Sequence, residues 1–302
     1  MRPFIISLDH SCNNHCRFCS QADLAPPGEP ADIRERLETG YASGHTTVHF
    51  TGGEPTLHDA LPSWIAAAKH MGFTRIGLQT NGRRLAYPSY ARTLAGEGLG
   101  PVDISLQGHT SALHDYHTNS PGSFKQTVTG IRRAHEAGLE VAVTSVLTRS
   151  NMRHLPDMAA AMGVLKVLHW RIRMSEHLGR ATEDGSRLVP RWTMVEPYVR
   201  RAFEQTGAGG CKAVVSGLPL CIDSTLPRYD PPDDDAPARV YGQVCGECVL
   251  REQCAGFDAG YTTIYGESDL RPIKEGRPDN QGGLTFDSST LPFVGGLGRP
   301  SN

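Results

Sequence analysis

The sequence predicts an α/β fold, a parallel sheet covered by helices, followed by a small cysteine-rich segment. Two observations predict it. Short β-rich runs alternate with longer helical stretches from residue 4 to about 175. The eight cysteines fall into two groups, three within the first 20 residues and five between positions 211 and 254. Six β/α repeats imply a parallel sheet with helices outside it, either open or closed into a barrel.

The elements follow from composition and period. Residues 4–8, 47–50, 75–79, 102–106, 140–146 and 168–173 read as strands, being short runs rich in β-branched and large apolar residues. Between them, 30–43, 60–71, 87–97, 123–137 and 154–162 read as helices, many bounded by glycine-containing turns such as Ala137-Gly138. An amphipathic stretch over 193–205 precedes the break Gly207-Ala208-Gly209-Gly210. Residues 211 to about 275 are turn-rich, with a loop at 231–237, and the segment 276–302 has no period and reads as extended or disordered. The expected division is 1–190, 191–275 and 276–302.

With 302 residues, 38% hydrophobic and 21% charged, the chain can bury a large core. A formal net charge of −2 argues against nucleic acid or an anionic membrane as the main partner. No run approaches the roughly 18 apolar residues of a membrane span, and the N-terminus does not read as a signal peptide. A cytoplasmic location is expected. Disulfides are disfavoured there, so grouped thiols point to metal or catalysis.

Cys12, Cys16 and Cys19 have the spacing C-x3-C-x2-C directly after the first strand. Three thiolates on one loop can bind three irons of a cubane and leave the fourth open, as a substrate-activating cluster requires. A zinc knuckle or a group of buried thiols is the other reading. The motif, with Phe18 before the last cysteine, resembles the signature of the radical S-adenosylmethionine (SAM) superfamily. Thr51-Gly52-Gly53-Glu54-Pro55 after the second strand resembles that family's GGE motif.

The resemblance covers roughly residues 4–181 and implies a partial (β/α)6 barrel. In that family a reduced [4Fe–4S] cluster cleaves SAM to a 5′-deoxyadenosyl radical, which removes a hydrogen atom from the substrate. Gly52 and Gly53 would let the backbone approach SAM, and Glu54 would accept from its ammonium group. Asn81, Ser105, Gln107 and Thr144 are similar to family positions near SAM. Arg171 or Arg173 suits the SAM carboxylate, with a structural ion pair as the other reading.

Cys211, Cys221, Cys245, Cys248 and Cys254 resemble the twitch or SPASM type of auxiliary domain, and imply one auxiliary [4Fe–4S] cluster. A zinc site would use the same thiolates. Five thiols for four positions leave one over, and an S–H near the substrate can return a hydrogen atom to a carbon radical. Cys248, central in its loop, is the first choice for that donor, with Cys211, Cys221, Cys245 and Cys254 as ligands. Cys211 and Cys254 stay open as the spare; with Cys211 spare, Cys221, Cys245, Cys248 and Cys254 would be the ligands.

These features are similar to radical SAM epimerases of aminoglycoside biosynthesis. The resemblance implies a polycationic aminosugar substrate and an electron donor such as flavodoxin or ferredoxin. Asp9, Asp115, Glu176, Asp223 and Asp230 are the carboxylates expected near the mouth, and His10, His15, His49, His114 and His117 lie near the same strand ends. Each is otherwise an ordinary surface charge or a satisfied histidine. The rival readings are a radical SAM dehydrogenase using the auxiliary cluster, a peptide-modifying radical SAM enzyme, and a non-catalytic iron–sulfur or zinc scaffold.

Overall fold

A computed structural model describes residues 3–20, 32–229 and 239–275. Seven strands pair in chain order, every neighbour parallel: β1 (Phe4–Ser7), β2 (Thr47–Thr51), β3 (Arg75–Thr80), β4 (Pro101–Ser105), β5 (Glu140–Leu147), β6 (His169–Met174) and β7 (Lys212–Ser216). Sequential parallel order needs a crossover between every pair, and the uniform hand of such crossovers curls the sheet into a partial barrel. Six strands were expected. The seventh lies beyond the anticipated boundary at 190 and carries the main sheet past it.

Helices α1 (Ile33–Ala42), α2 (Leu61–Met71), α3 (Pro88–Glu97), α4 (Ser111–Thr118), α5 (Ser123–Glu136), α6 (Leu155–Val164), α7 (Ala181–Asp184) and α8 (Trp192–Ala208) follow the strands. Their apolar faces meet the outward side chains of the sheet. In α2, Leu61, Ile65 and Ala68 are buried at helical spacing, against a sheet face that includes Val48, Phe50, Ile76 and Leu78. The helix ends at Gly72, whose φ of 107° is a left-handed cap.

The strands' inner face is different. Ala142, Val214 and Tyr229 form a separate small apolar cluster there. Beside them lie polar groups from the same inward positions, His49, Asp103, Thr144 and Arg171, all fully or nearly buried. The alternation within Val102-Asp103-Ile104 and Trp170-Arg171-Ile172 sends the apolar residues to the helices and the charges inward.

Beyond β7 the chain forms a two-stranded antiparallel ribbon, β8 (Arg239–Val240) with β9 (Phe257–Asp258), and a short helix α9 (Ala259–Tyr265). This segment packs through stacked rings, Trp192 on Tyr261 at 3.4 Å. Among the described residues no helix is long and apolar enough to cross a membrane. Residues 276–302, the loop at 231–237 and Asp230 lie outside the described residues.

Candidate functional site

The first cysteine loop leaves the C-terminal end of β1 and is held from three sides. The C-terminal carbonyls of α4 take two of its amides, His15 N to Thr118 O at 2.9 Å and Arg17 N to His117 O at 3.0 Å. Arg83 donates to Asn13 O and to Asn14 Oδ1, the latter at 2.8 Å. Arg180, in the loop after β6, donates its amide to Cys19 O at 3.1 Å and its guanidinium to Cys16 O at 3.4 Å. Sequence reading missed Arg83 and Arg180. Each sits just past a strand end, yet nothing in the sequence says which loop it reaches.

Burial and mutual repulsion act together on the thiols. Burial, then the Glu54 and Cys19 charges, push Cys12 up to about 11. Cys16 is raised further by burial and by Cys19 and Cys12. Thiols crowded and desolvated in this way become good thiolate ligands when cationic iron supplies the compensating charge. The donor set therefore fits a cluster.

Gly52 and Gly53 are required by the protein's own packing. A Cβ on Gly52, where φ is 139°, would meet Asp9 O at 2.6 Å, and one on Gly53 would meet Ser11 O at 2.4 Å. Bare backbone lets Gly53 N donate to Asp9 O at 2.6 Å and Glu54 N to Ser11 O at 2.7 Å. The two loops are thus laced together.

Glu54 is 1% exposed and accepts from Thr56 N, Thr56 Oγ1, Thr80 Oγ1 and Asn81 N, at 3.0, 2.5, 2.6 and 2.6 Å. Burial raises its carboxyl against these bonds. It clamps the loops after β2 and β3, an internal role the sequence did not indicate. Asn81 completes the junction, its Nδ2 donating to Asn13 Oδ1 at 2.7 Å and lying 4.0 Å from Cys12 Sγ. Phe18 packs on the core with its ring 6.5 Å from His117, and Ser105 ends β4 at the mouth.

Three of the expected SAM contacts are committed elsewhere. Arg171 donates to Asp103 Oδ2 at 3.0 Å and to Thr144 Oγ1 at 3.1 Å, and Thr144 Oγ1 donates to Asp103 at 2.7 and 2.9 Å. Arg171 is 1% exposed and Asp103 is 0% exposed. This is the structural ion pair, closed inside the barrel, and it gives Arg171 and Thr144 an interior supporting role. Gln107 is likewise internal, its Oε1 accepting from Val146 N at 2.8 Å.

The expected carboxylates are also engaged. Asp9 pairs with His58 at 2.9 Å, Glu176 with Arg173 at 3.1 Å and Asp223 with Arg200 at 2.6 Å. Asp115 accepts from Gly122 N and Phe124 N, both at 2.7 Å, at the start of α5. Of the histidines, His117 is bonded to Leu113 O and Thr148 Oγ1, and His114 accepts from Gln107 N. His49 lies in the barrel interior over Gly77, where a Cβ would meet its ring at 2.4 Å. His15 lines a surface cleft with Arg17 and Arg180, and the nitrogens of His10 are buried without a partner among the described residues.

The second cysteine group falls into two places. Cys221, Cys245, Cys248 and Cys254 line one cavity, walled by Phe257, Leu270 and Pro272. Cys221 is carried past the C-terminal end of β7 by a segment that Arg228 ties down through Leu218 O and Asp223 O. Cys211 lies at the other end of that strand, 5% exposed, and burial alone pushes its thiol up to about 12. Five residues of strand span about 16 Å, so Cys211 reaches neither the other thiols nor the mouth. The placement sets Cys211 apart from the other four, as in the alternative in which Cys211 is the spare thiol. Among the described residues, no three of these sulfurs lie within 4.8 Å of one another.

The loop after β6 joins the two cysteine sites. His177 N donates to Asp258 Oδ2 at 2.9 Å, and a Cβ on Gly260 would meet His177 Cβ at 2.6 Å. Two residues on, Gly179 (φ 57°) lies so close to Cys19 O that a Cβ would approach it to 2.3 Å. One short strap therefore touches both the ribbon of the second site and the loop of the first.

Comparison with known proteins follows this geometry. Over 178 residues the chain is 30% identical to the AdoMet-dependent heme synthase of Nitratidesulfovibrio vulgaris, covering 58% of this chain and 48% of that one. It is 28% identical over 238 residues to the PqqA peptide cyclase of Rhodopseudomonas palustris, covering 74% and 58%. The chain spans about half the length of the first of these relatives. Among solved structures it is similar in fold to Streptococcus suis SuiB bound to precursor peptide SuiA. That match has a TM-score of 0.57 at 16% identity, over 71% of this chain and 49% of that one. The Radical SAM superfamily model matches residues 6–162, more than half of the 302. With that match and with the cysteine loop, the glycine-laced junction and the parallel partial barrel in one arrangement, the chain belongs to the radical SAM superfamily.

Proposed function

We propose that this enzyme inverts a carbon centre of an aminoglycoside, a conversion of the neomycin C to neomycin B type, with Cys12, Cys16 and Cys19 holding the SAM-cleaving cluster. When bound, SAM and that cluster supply the radical that removes a hydrogen atom from the substrate. The protein's part is to hold the thiolate loop, through Arg83, Arg180 and the α4 carbonyls, and to shield the mouth from water.

The observation that carries the reading is the convergence of Cys221, Cys245, Cys248 and Cys254 on one cavity beyond the C-terminal end of β7. Four thiols around one cavity suit an iron–sulfur cluster, and one zinc ion would use the same thiolates at about 2.3 Å from the metal. Three thiolates suffice for a cubane, as at the first site. The fourth then remains S–H, and Cys248, central in its loop, is the proposed hydrogen-atom donor. An electron donor such as flavodoxin or ferredoxin would reduce the first cluster, and would also supply the one electron that, with a solvent proton, restores the Cys248 thiyl radical to S–H.

The same convergence favours one second reading. If all four thiols bind the auxiliary cluster, no donor is left near the mouth, since Cys211 is at the far end of β7. The cluster would then accept an electron from the substrate radical, and the enzyme would be a dehydrogenase of an aminosugar alcohol.

Anaerobically reconstituted, reduced enzyme with SAM and neomycin C in D2O distinguishes them by mass spectrometry. Epimerisation gives a product of unchanged formula with one added deuterium, lost in Cys248→Ala while 5′-deoxyadenosine still forms and both clusters remain. Oxidation gives a product two mass units lighter. Failure to turn over this sugar would overturn the substrate proposal and leave the family assignment intact. Cys211→Ala is expected to keep both clusters and full turnover.

A further inference from the structure

His109, His154 and Asp157 converge at the barrel rim, in the loops that follow β4 and β5. His109 lies in the loop between β4 and α4, and His154 and Asp157 are one helical turn apart at the start of α6. His109 Nε2 is 4.0 Å and His154 Nδ1 is 3.7 Å from Asp157 Oδ2. All three ligand atoms lie within 4.8 Å of one another, and the two rings are 5.4 Å apart.

These separations are too long for hydrogen bonds, which end near 3.2 Å. Three ligands of one zinc ion, each about 2.0–2.2 Å from the metal, lie roughly 3.3 Å apart. Closing the difference takes side-chain rotation alone, because the His154 and Asp157 side chains are 46% and 61% exposed. His109 Nε2 is the ring nitrogen that faces Asp157, and its Nδ1 is buried without a partner among the described residues.

The backbones that carry the three residues are fixed relative to one another. Asn151, fully buried, donates to Gln107 O at 3.2 Å and to Val146 O at 2.9 Å, and accepts from Thr148 N at 2.8 Å. The loops after β4 and β5 are thereby locked together beneath the site, so binding an ion orders little beyond two rotamers. The α6 N-terminus opposes a cation, and the Asp157 carboxylate within the first turn offsets it.

We propose that His109, His154 and Asp157 form a site for a divalent transition metal, zinc in the first instance. Two imidazoles and one carboxylate are a borderline donor set that suits Zn2+ over Mg2+ or Ca2+. The site leaves coordination positions open to water and braces two loops at the barrel rim. It is independent of the reaction proposed above.

Tag-free, cluster-loaded protein titrated with Zn2+ under anaerobic calorimetry tests the site, because bound iron then occupies the cluster-ligating thiols and the remaining thiols are the same in wild type and variants. One zinc per chain is expected at this site. Its affinity should fall by about tenfold or more in each of His109→Ala, His154→Ala and Asp157→Ala, with melting temperatures unchanged. Zinc-edge anomalous density among the three side chains in Zn2+-exposed crystals is the second expected result. Equal zinc uptake by wild type and all three variants would overturn the proposal. So would loss in His154→Ala and Asp157→Ala without loss in His109→Ala, which would mean a two-ligand surface pair.

Discussion

Replacing Arg171 by Met separates an interior support from a cofactor ligand. The substitution keeps the length and apolar stem of the side chain and removes its charge. Asp103, 0% exposed, then keeps its bonds from Thr144 Oγ1 at 2.7 and 2.9 Å but loses the guanidinium at 3.0 Å. Breaking a buried pair from one side costs about 3–5 kcal/mol, since a carboxylate is left desolvated without its cation. For a chain of this size that lowers the melting temperature by roughly 10 °C. Anaerobic thermal unfolding reads the loss, and SAM binding to the folded protein below the transition reads the ligand role. The expected result is a large drop in melting temperature with SAM affinity changed less than about twofold. Asp103→Asn added to Arg171→Met should recover part of the loss, because the uncompensated charge is gone. An unchanged melting temperature with SAM binding abolished would refute the interior role and restore Arg171 as the carboxylate partner.

Gly53→Ala drives a Cβ into Ser11 O at 2.4 Å and should unlace the junction with the cysteine loop. The expected outcome is a protein that incorporates about half the iron, losing the first cluster and keeping the second, checked by iron analysis and electron paramagnetic resonance. His49 carries an acid-stability signature. Burial, then the Arg75 and Arg171 charges, depress it from 6.5 to about 3, so the unfolded chain takes up a proton that the folded one refuses. Its contribution is intact above pH 6.5 and is lost as pH falls toward 3, at up to about 1.4 kcal/mol per pH unit. Urea midpoints of apoprotein between pH 6 and 4.5 should fall less steeply in His49→Gln, and an unchanged slope would show that the ring is not held neutral.

Most of the fold was legible because strands, helices and turns each leave a periodic trace. The six expected strands appear within a residue or two of their anticipated ends. The seventh, Lys212–Ser216, was hidden by its setting among cysteines and glycines. Helix α4 was missed because its buried face consists of His114, His117 and Thr118 rather than apolar residues. Motif chemistry was legible for a related reason: one cluster needs thiols at fixed spacing on one loop. The side on which a glycine is crowded has no such trace. Gly52 and Gly53 could be read as necessary, but only coordinates show that their neighbour is the Asp9–Ser11 backbone. Asp103 and Arg171 stand out as charges within apolar strands, yet their pairing depends on sheet order. Nor does spacing say that Cys211 begins a strand and Cys221 follows its far end.

That last distinction governs the chemistry open to the enzyme. A thiol returns hydrogen to a carbon radical only from contact distance, which removes Cys211 whatever its reactivity. A donor of the proposed kind would come from the four thiols around the second cavity, and its availability depends on how many of them the proposed cluster takes. The strap from His177 to Arg180 makes this more than a local matter. Asp258, two residues from Gly256 in the cavity wall, receives His177 N, while Gly179 and Arg180 lie on Cys19 and Cys16. The strap's close contacts leave little slack, since at Gly179 even a methyl group would collide with the cysteine loop. The second cavity's ribbon and the first cysteine loop therefore share one short strap, three consecutive peptide units long, as a common neighbour.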